Sequence, residues 1–390
     1  MDAGLKLPPL DRAQEHSIVR TGFVACDAPD AMDQLADALG PSEMAVIILF
    51  LSPKTDLAAL SQALPARFDH TLVVGCTTAG EIGPNGYSEG DIVALGLPAA
   101  HFAASTMLID DLHDLNPSQL IARMIHNRNA LAQAKPDWSS ECAFLMVDGL
   151  STREDALAAE LAVGLGPVPL FGGSAGDGEE FGATYVLHHG TFRTNAAVLV
   201  QIRSNCPIKV FKTDHLQPTE QRMVVTGADP ARRIVYEINA EPAAREYARL
   251  LGKDPEQLST FTFAAHPVVV RIGDQTHVRA IQQVTDDKDL VFFSAIDEGV
   301  VLTLAEPEDM VAHLDRELSA LSQSATPDMI LGCDCLFRRV EATEKQVTSP
   351  ISKLLQKHRV IGFSTYGEQV NSMHVNHTLT GVAIYPPTER

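Results

Sequence analysis

With 390 residues, 45% of them hydrophobic, the chain is long enough for two domains with sizeable cores. Its formal charge of −20 argues against a nucleic-acid footprint, which needs a basic stripe, and against an electrostatic hold on anionic lipid. No apolar run approaches the roughly 20 residues of a membrane span, and six cysteines are too sparse for a disulfide scaffold, so a reducing cytoplasm is expected.

Residues 1–17 contain prolines, lack the basic start and long apolar core of a signal peptide, and are expected to form a disordered head. IVRTGFVA from Ile18 reads as a strand, PDAMDQLADALG from Pro29 as a helix stopped by Gly40, and MAVIILFL from Met44 as a buried strand. A helix over LAALSQAL, a strand over FAASTMLI and a long amphipathic helix from Pro117 follow. CAFLMV from Cys142 is a second buried strand. The helix after it, TREDALAAELAVGLG, has Thr152 and Asp155 spaced as an N-cap signal. Strands are expected through residue 235 and a helix up to Gly252. A meander over residues 258–305 then takes FAAHPVVVRIG, HVRAIQQV, LVFFSAID and VVLTLAEP as its strands. A helix from Glu308 leads to a third buried strand, MILGC from Met329.

One phrase recurs about 30 residues after each buried strand: VVGCTTAGE, PLFGGSAGD and VIGFSTYGE. Another apolar strand follows each copy, from Asp91, Asn195 and Leu379. The fold class expected is therefore mixed α/β, in two lobes built from three related strand–helix–strand–glycine-turn units plus the antiparallel meander. Glycine after a strand permits close backbone approach, and Gly75, Thr77, Thr78, Ser174, Ser364 and Thr365 would line such corners. The acids that close the phrases (Glu81, Asp177, Glu368) disfavour phosphate. Three copies favour turns packing between repeats over a ligand cradle. Asp148 and Asp334 are read as equivalent strand-end carboxylates that could sit near a ligand. Cys333 and Cys335 read as buried small hydrophobes on one strand face, His188 and His189 as pointing to opposite faces, and Arg338–Arg339 as a solvated pair closing a strand. The chain has no GxSxG elbow and no HExxH, so no enzyme is expected.

The first two glycine phrases and their strands resemble the N-terminal half of a FIST protein. The stretches around HPVVVRIG, HVRAI, GCDCLFRR and STYGEQVNSMHVNHTLTGVAI are similar to the FIST C-terminal half. The resemblance implies a FIST N-terminal domain over 18–240 and a C-terminal domain over 241–390. Its wording is closest to the branch of nitric-oxide-sensing haem proteins that regulate histidine kinases. Haem would need an imidazole or thiolate axial ligand. His374, taken as sharing a strand face with Asn376 and opposing His377, is the first candidate. His266, placed on a strand edge by Pro267, is the second, and Cys206, in a turn before Pro207 read as exposed, the third. The alternative is a sensor of a small polar metabolite such as an amino acid, without haem, lined by the corner residues with Asp148 or Asp334.

Overall fold

The computed structural model describes residues 17–273 and 275–387. Residues 1–16 of the expected head lie outside them. Ser17 is buried, its hydroxyl bonded to the Asp328 carboxylate.

Three copies of one unit build the body: outer strand, helix, central strand, crossover helix, corner strand, hairpin and return strand. In the first these are Arg20–Ala25, Ala31–Leu39, Met44–Leu51, Leu57–Phe68, Val73–Thr77, Glu81–Gly83 with Gly86–Ser88, and Asp91–Pro98. The second comprises Phe102–Ile109, Pro117–Ala134, Ser140–Val147, Glu154–Leu165, Leu170–Ser174, Val186–His188 with Thr191–Arg193, and Ala197–Ser204. The third opens on Ile208–Asp214, leaves for a long excursion, and resumes with Met310–Leu321 and Met329–Cys335. Its crossover has two helices, Leu336–Glu344 and Thr348–Lys357. Val360–Thr365, Glu368–Val370 with Met373–Val375, and Thr378–Ile384 complete it.

In every copy the central strand pairs in parallel with the corner strand and antiparallel with the return strand. Gly75, Gly172 and Gly362 take the same register against Leu49, Leu145 and Gly332. The hairpins, however, are exchanged. The hairpin of unit one extends the corner strand of unit three, that of unit two extends unit one, and that of unit three extends unit two. Three six-stranded sheets result, each closed by a neighbour's hairpin.

The inner faces of the sheets share one core. Phe50 of unit one stacks on Phe363 of unit three at 4.4 Å and meets Phe144 of unit two edge-on at 6.3 Å. Each outer face is backed by its own unit's helices. This explains the unbroken apolar run MAVIILFL: Val46, Ile48 and Phe50 face the common core while Ile47, Leu49 and Leu51 face the helices.

The excursion, inserted between the outer strand and first helix of unit three, is the second lobe. It holds an eight-stranded antiparallel sheet that includes Leu216–Asp229, Ile234–Ile238, Val268–Ile272 and Val301–Pro307, with helices Ala243–Leu251 and Thr260–Ala265. The sheet thus begins well before residue 258, and the pairing of Ile238 with Glu241 runs across residue 240. HVRAIQQV is two strands, Gln275–Val278 and Ile281–Val284, which end at opposite edges of the sheet. The first half of FAAHPVVV is helical, so His266 is a helix C-cap and not a strand residue. Thr152 does not cap its helix: it adopts φ 58°, and Arg153 holds the N-cap position without a side-chain bond.

Candidate functional site

Where the three corners meet, each donates to and accepts from its neighbour. The amides of Thr77, Ser174 and Ser364 donate to the carbonyls of Tyr185, Gly367 and Gly80. In return the carbonyls of Thr77, Ser174 and Ser364 accept from Gly176, Tyr366 and Ala79. A side chain cannot enter this junction. A Cβ on Gly75 would fall 2.3 Å from the Leu49 carbonyl oxygen, and on Gly172 or Gly362 at 2.2 or 1.8 Å from its counterpart. Of the corner hydroxyls, Thr77 accepts from the Tyr185 amide at 3.0 Å and Ser174 from Gln369 at 2.9 Å. Thr78 and Thr365 bond Glu81 and Glu368, while Ser364 Oγ is buried with no partner among the described residues. The corners are inter-repeat turns.

Register corrects two equivalences. Asp148 lies three positions beyond Leu145, whereas Asp334 lies two beyond Gly332. A one-residue offset turns their side chains to opposite faces. Asp148 accepts from the Leu150 and Asn195 amides and the Thr184 hydroxyl. Asp334 accepts from Tyr87 and, at 2.7 Å, from Arg338 Nε. The Glu81 position is repeated by Glu368, but by Val186 in unit two. Asp177 belongs instead to a longer loop of unit two, where its carboxylate caps the amides of Phe181, Gly182 and Ala183 and accepts from the Tyr366 hydroxyl.

Beside the junction lies a cavity of about 570 Å³. It is bounded by Ser52–Lys54, Ala79–Glu81 and Glu89–Gly90 of unit one, by 177–180 of unit two, by the Leu336–Glu344 helix of unit three, and by Phe261 of the insert. Glu81 sits fully buried in its wall. Burial pushes its carboxyl up to about 7, opposed by the Thr78 hydroxyl, the Asp91 amide and Arg339. Arg339 reaches in over the Tyr87 ring, 5.0 Å from its centroid, and donates to the Ser88 carbonyl at 2.9 Å and to Glu89 at 3.1 Å. Gly80 makes this possible. At φ 125° it has no Cβ, and one there would lie 2.2 Å from Arg339 Nη1. Lys54, Glu179 and Glu180 are exposed at the rim.

The same helix carries a buried polar chain on its other side. Tyr87 donates to Asp334, which accepts from Arg338. Arg338 Nη1 donates to His215 Nδ1 at 2.8 Å, so the proton on His215 is at Nε2 and is donated to Glu341, also at 2.8 Å. Lys345 closes the chain on Glu341 at 2.7 Å. Burial holds His215 below its usual range despite Glu341. Arg338–Arg339 is therefore not a solvated pair: Arg338 is buried in this chain and Arg339 lines the cavity. The signal in the sequence was the four-residue spacing of Asp334 and Arg338, which runs from the end of the strand into the helix that follows.

None of the eight predicted pocket residues (Gly75, Thr77, Thr78, Asp148, Ser174, Asp334, Ser364, Thr365) lines the cavity; the neighbours of Thr78, Ala79–Glu81, do. The axial-ligand candidates are scattered. Cys206 is buried, not exposed, and burial raises its thiol pKa. The His266 amide donates to the Thr262 carbonyl, and its own carbonyl accepts from the Tyr247 hydroxyl. The strand expected through His374 and His377 breaks: His374 is in the unit-three hairpin, and His377 turns at φ 56° into the return strand, packed edge-on against Phe337. His374 Nδ1 meets Gln369 at 3.0 Å, and its Nε2 is buried without a partner among the described residues. That nitrogen suits iron chemically, but the ring is wedged on Gly367, whose Cβ would fall 2.3 Å from Cε1, and a porphyrin does not fit beside it as folded. His188 and His189 meet at 4.2 Å because His189 sits in a left-handed turn.

No curated protein matches the chain. The FIST N domain model matches residues 45–241 and the FIST C domain model residues 243–371. No helix among the described residues is long and apolar enough to cross a membrane. With one model spanning half of its length and the second most of the rest, the chain belongs to the FIST family, whose domains are sensor domains of signal transduction.

Proposed function

We propose that this chain is a non-catalytic cytoplasmic sensor of a small polar metabolite such as an amino acid, held in the cavity beside the glycine junction, with a histidine kinase as its output partner. One observation carries the reading: the cavity draws its wall from all three units and from the insert. A ligand there would touch every part of the molecule at once, which is what a population shift between two arrangements needs. The lining suits a zwitterion. Lys54 offers an ammonium to a carboxylate, the acids Glu89, Glu179 and Glu180 face an amino group, and Phe261 supplies an apolar edge. Arg339, held by two carbonyls and Glu89, braces the wall.

A second reading, a haem sensor of nitric oxide acting on a histidine kinase, rests on the partnerless Nε2 of His374. It requires Gly367 and Asn376 to move off the ring. Thermal shift of the full chain against the amino acids and against haem separates the two. The metabolite reading expects a concentration-dependent rise, about 2.7 kcal/mol at a hundredfold excess over Kd, abolished by Gly80→Ala. A stoichiometric Soret band lost in His374→Ala, with no response to any amino acid, would replace it with the haem reading.

A further inference from the structure

The inserted sheet carries a second concave surface of about 950 Å³, away from the cavity just described. Arg222 is paired with Thr303, and Thr303 with Val269, so these three share a face. Val224 and Val301 are paired one row along the same face. Arg271 and Arg279 also line the groove, with Ile272 and the loop residues Ala295–Asp297. Val301 is 48% exposed and Ile272 57%.

What marks this groove is three arginines gathered on one surface without an ion pair. Nine of the other arginines (67, 128, 203, 233, 249, 316, 338, 339 and 359) are in ion pairs. Arg222, Arg271 and Arg279 form none among the described residues: Arg271 donates to the Gly273 carbonyl and Arg279 to the Val278 carbonyl. Arg279 is also substantially desolvated, which pulls its guanidinium below the usual value against the attraction of Asp155. In a chain with 50 acidic residues and a net charge of −20, three guanidiniums facing one lining carboxylate, Asp297, form a local reversal of sign. Exposed aliphatic side chains interleave with them, and arginine is among the residues that carry most of the energy at interfaces.

We infer that this groove docks an acidic segment of a partner protein whose carboxylates meet Arg222, Arg271 and Arg279 and whose apolar side chains cover Ile272 and Val301. Nucleic acid and anionic membrane are disfavoured by the charge of the rest of the chain, and aliphatic side chains offer bases nothing to stack on. That same charge opposes long-range approach, but it is screened beyond about 8 Å at physiological salt, so contact is governed by the local guanidiniums.

The test uses the full chain and a fluorescein-labelled peptide of alternating glutamate and leucine, read by anisotropy. A lysine–leucine peptide and inorganic phosphate serve as controls. The glutamate–leucine peptide is expected to bind, more weakly as salt rises. Arg222→Glu with Arg271→Glu should weaken it by about tenfold or more and Val301→Ser by less. Should the charge-reversed variant fail to fold, the milder pair Arg222→Gln and Arg271→Gln replaces it. Equal binding of both peptides, undiminished binding by the arginine variants, or full displacement by phosphate alone would overturn the assignment.

Discussion

The three-unit body and the inserted sheet treat polar and apolar groups in opposite ways. In the body, the backbone amides of Thr77, Ala79, Ser174, Gly176, Ser364 and Tyr366 are bonded between repeats, and the core is drawn from all three units. Only two large hydrophobics in the body, Ile125 and Val163, stand exposed among the described residues. The insert shows five: Val224, Tyr236, Phe261, Ile272 and Val301. A junction repeated three times is committed to its own closure. The chemistry left for ligands and partners falls on what is not repeated: the long loop of unit two, the extra helix Leu336–Glu344 and the insert.

The comparison breaks first at the glycines. Gly362→Val or Gly75→Val drives a side chain into a neighbouring carbonyl, and we expect loss of more than about 4 kcal/mol or failure to fold, read by denaturant melts. A tolerated valine would show the junction to be loose. Next is the buried chain. Arg338→Met leaves Asp334 buried without its charge partner and should cost about 3–5 kcal/mol, while Lys345→Met, which removes a partly exposed ammonium and leaves Glu341 its bond from His215, should cost less.

A smaller effect appears with pH. Burial raises the carboxyls of Glu81 and Glu368 from the ordinary 4.5 to about 7 and about 8. Raised folded values mean that their stabilising contribution is complete below pH 4.5 and is lost as pH rises through about 8. Glu368→Gln should flatten the fall in melting temperature over that window; an unchanged slope would mean the carboxyl ionises freely. Glu341 runs the other way. Burial alone would raise it, but the bonds from His215 and Lys345 outweigh this, so its contribution is lost as pH falls below the usual carboxylate range. The smallest effect belongs to the insert surface: Ile272→Ser should change stability by no more than about 0.5 kcal/mol.

Much of the body was legible because its signals are local and periodic. The helix from Pro117 to Ala134 and the three buried strands sit where apolar spacing and flanking residues place them. The shared Thr-x-x-Glu of units one and three, in which Thr78 bonds Glu81 and Thr365 bonds Glu368, was a signal that reading the acids only against phosphate passed over. Hairpin exchange was invisible, since strand pairing between repeats leaves no trace in spacing. The break between His374 and His377 turned on a left-handed residue that is not glycine, and period-two reasoning could not foresee it. Arg338 and Arg339 were misread because GCDCLFRR is apolar enough for a strand, whereas the helix starts at Leu336. Cavity walls assembled from six separate segments are likewise a tertiary fact.

Hydrogen exchange of the full chain, alone and with saturating amino acid or haem, tests the sensory cavity most directly. An amino acid that raises the melting temperature should slow exchange in residues 79–81, 177–180 and 336–343 together, with the segment 367–377 unchanged. No response to any amino acid, with haem protecting 367–377 instead, would contradict the cavity as the site of sensing.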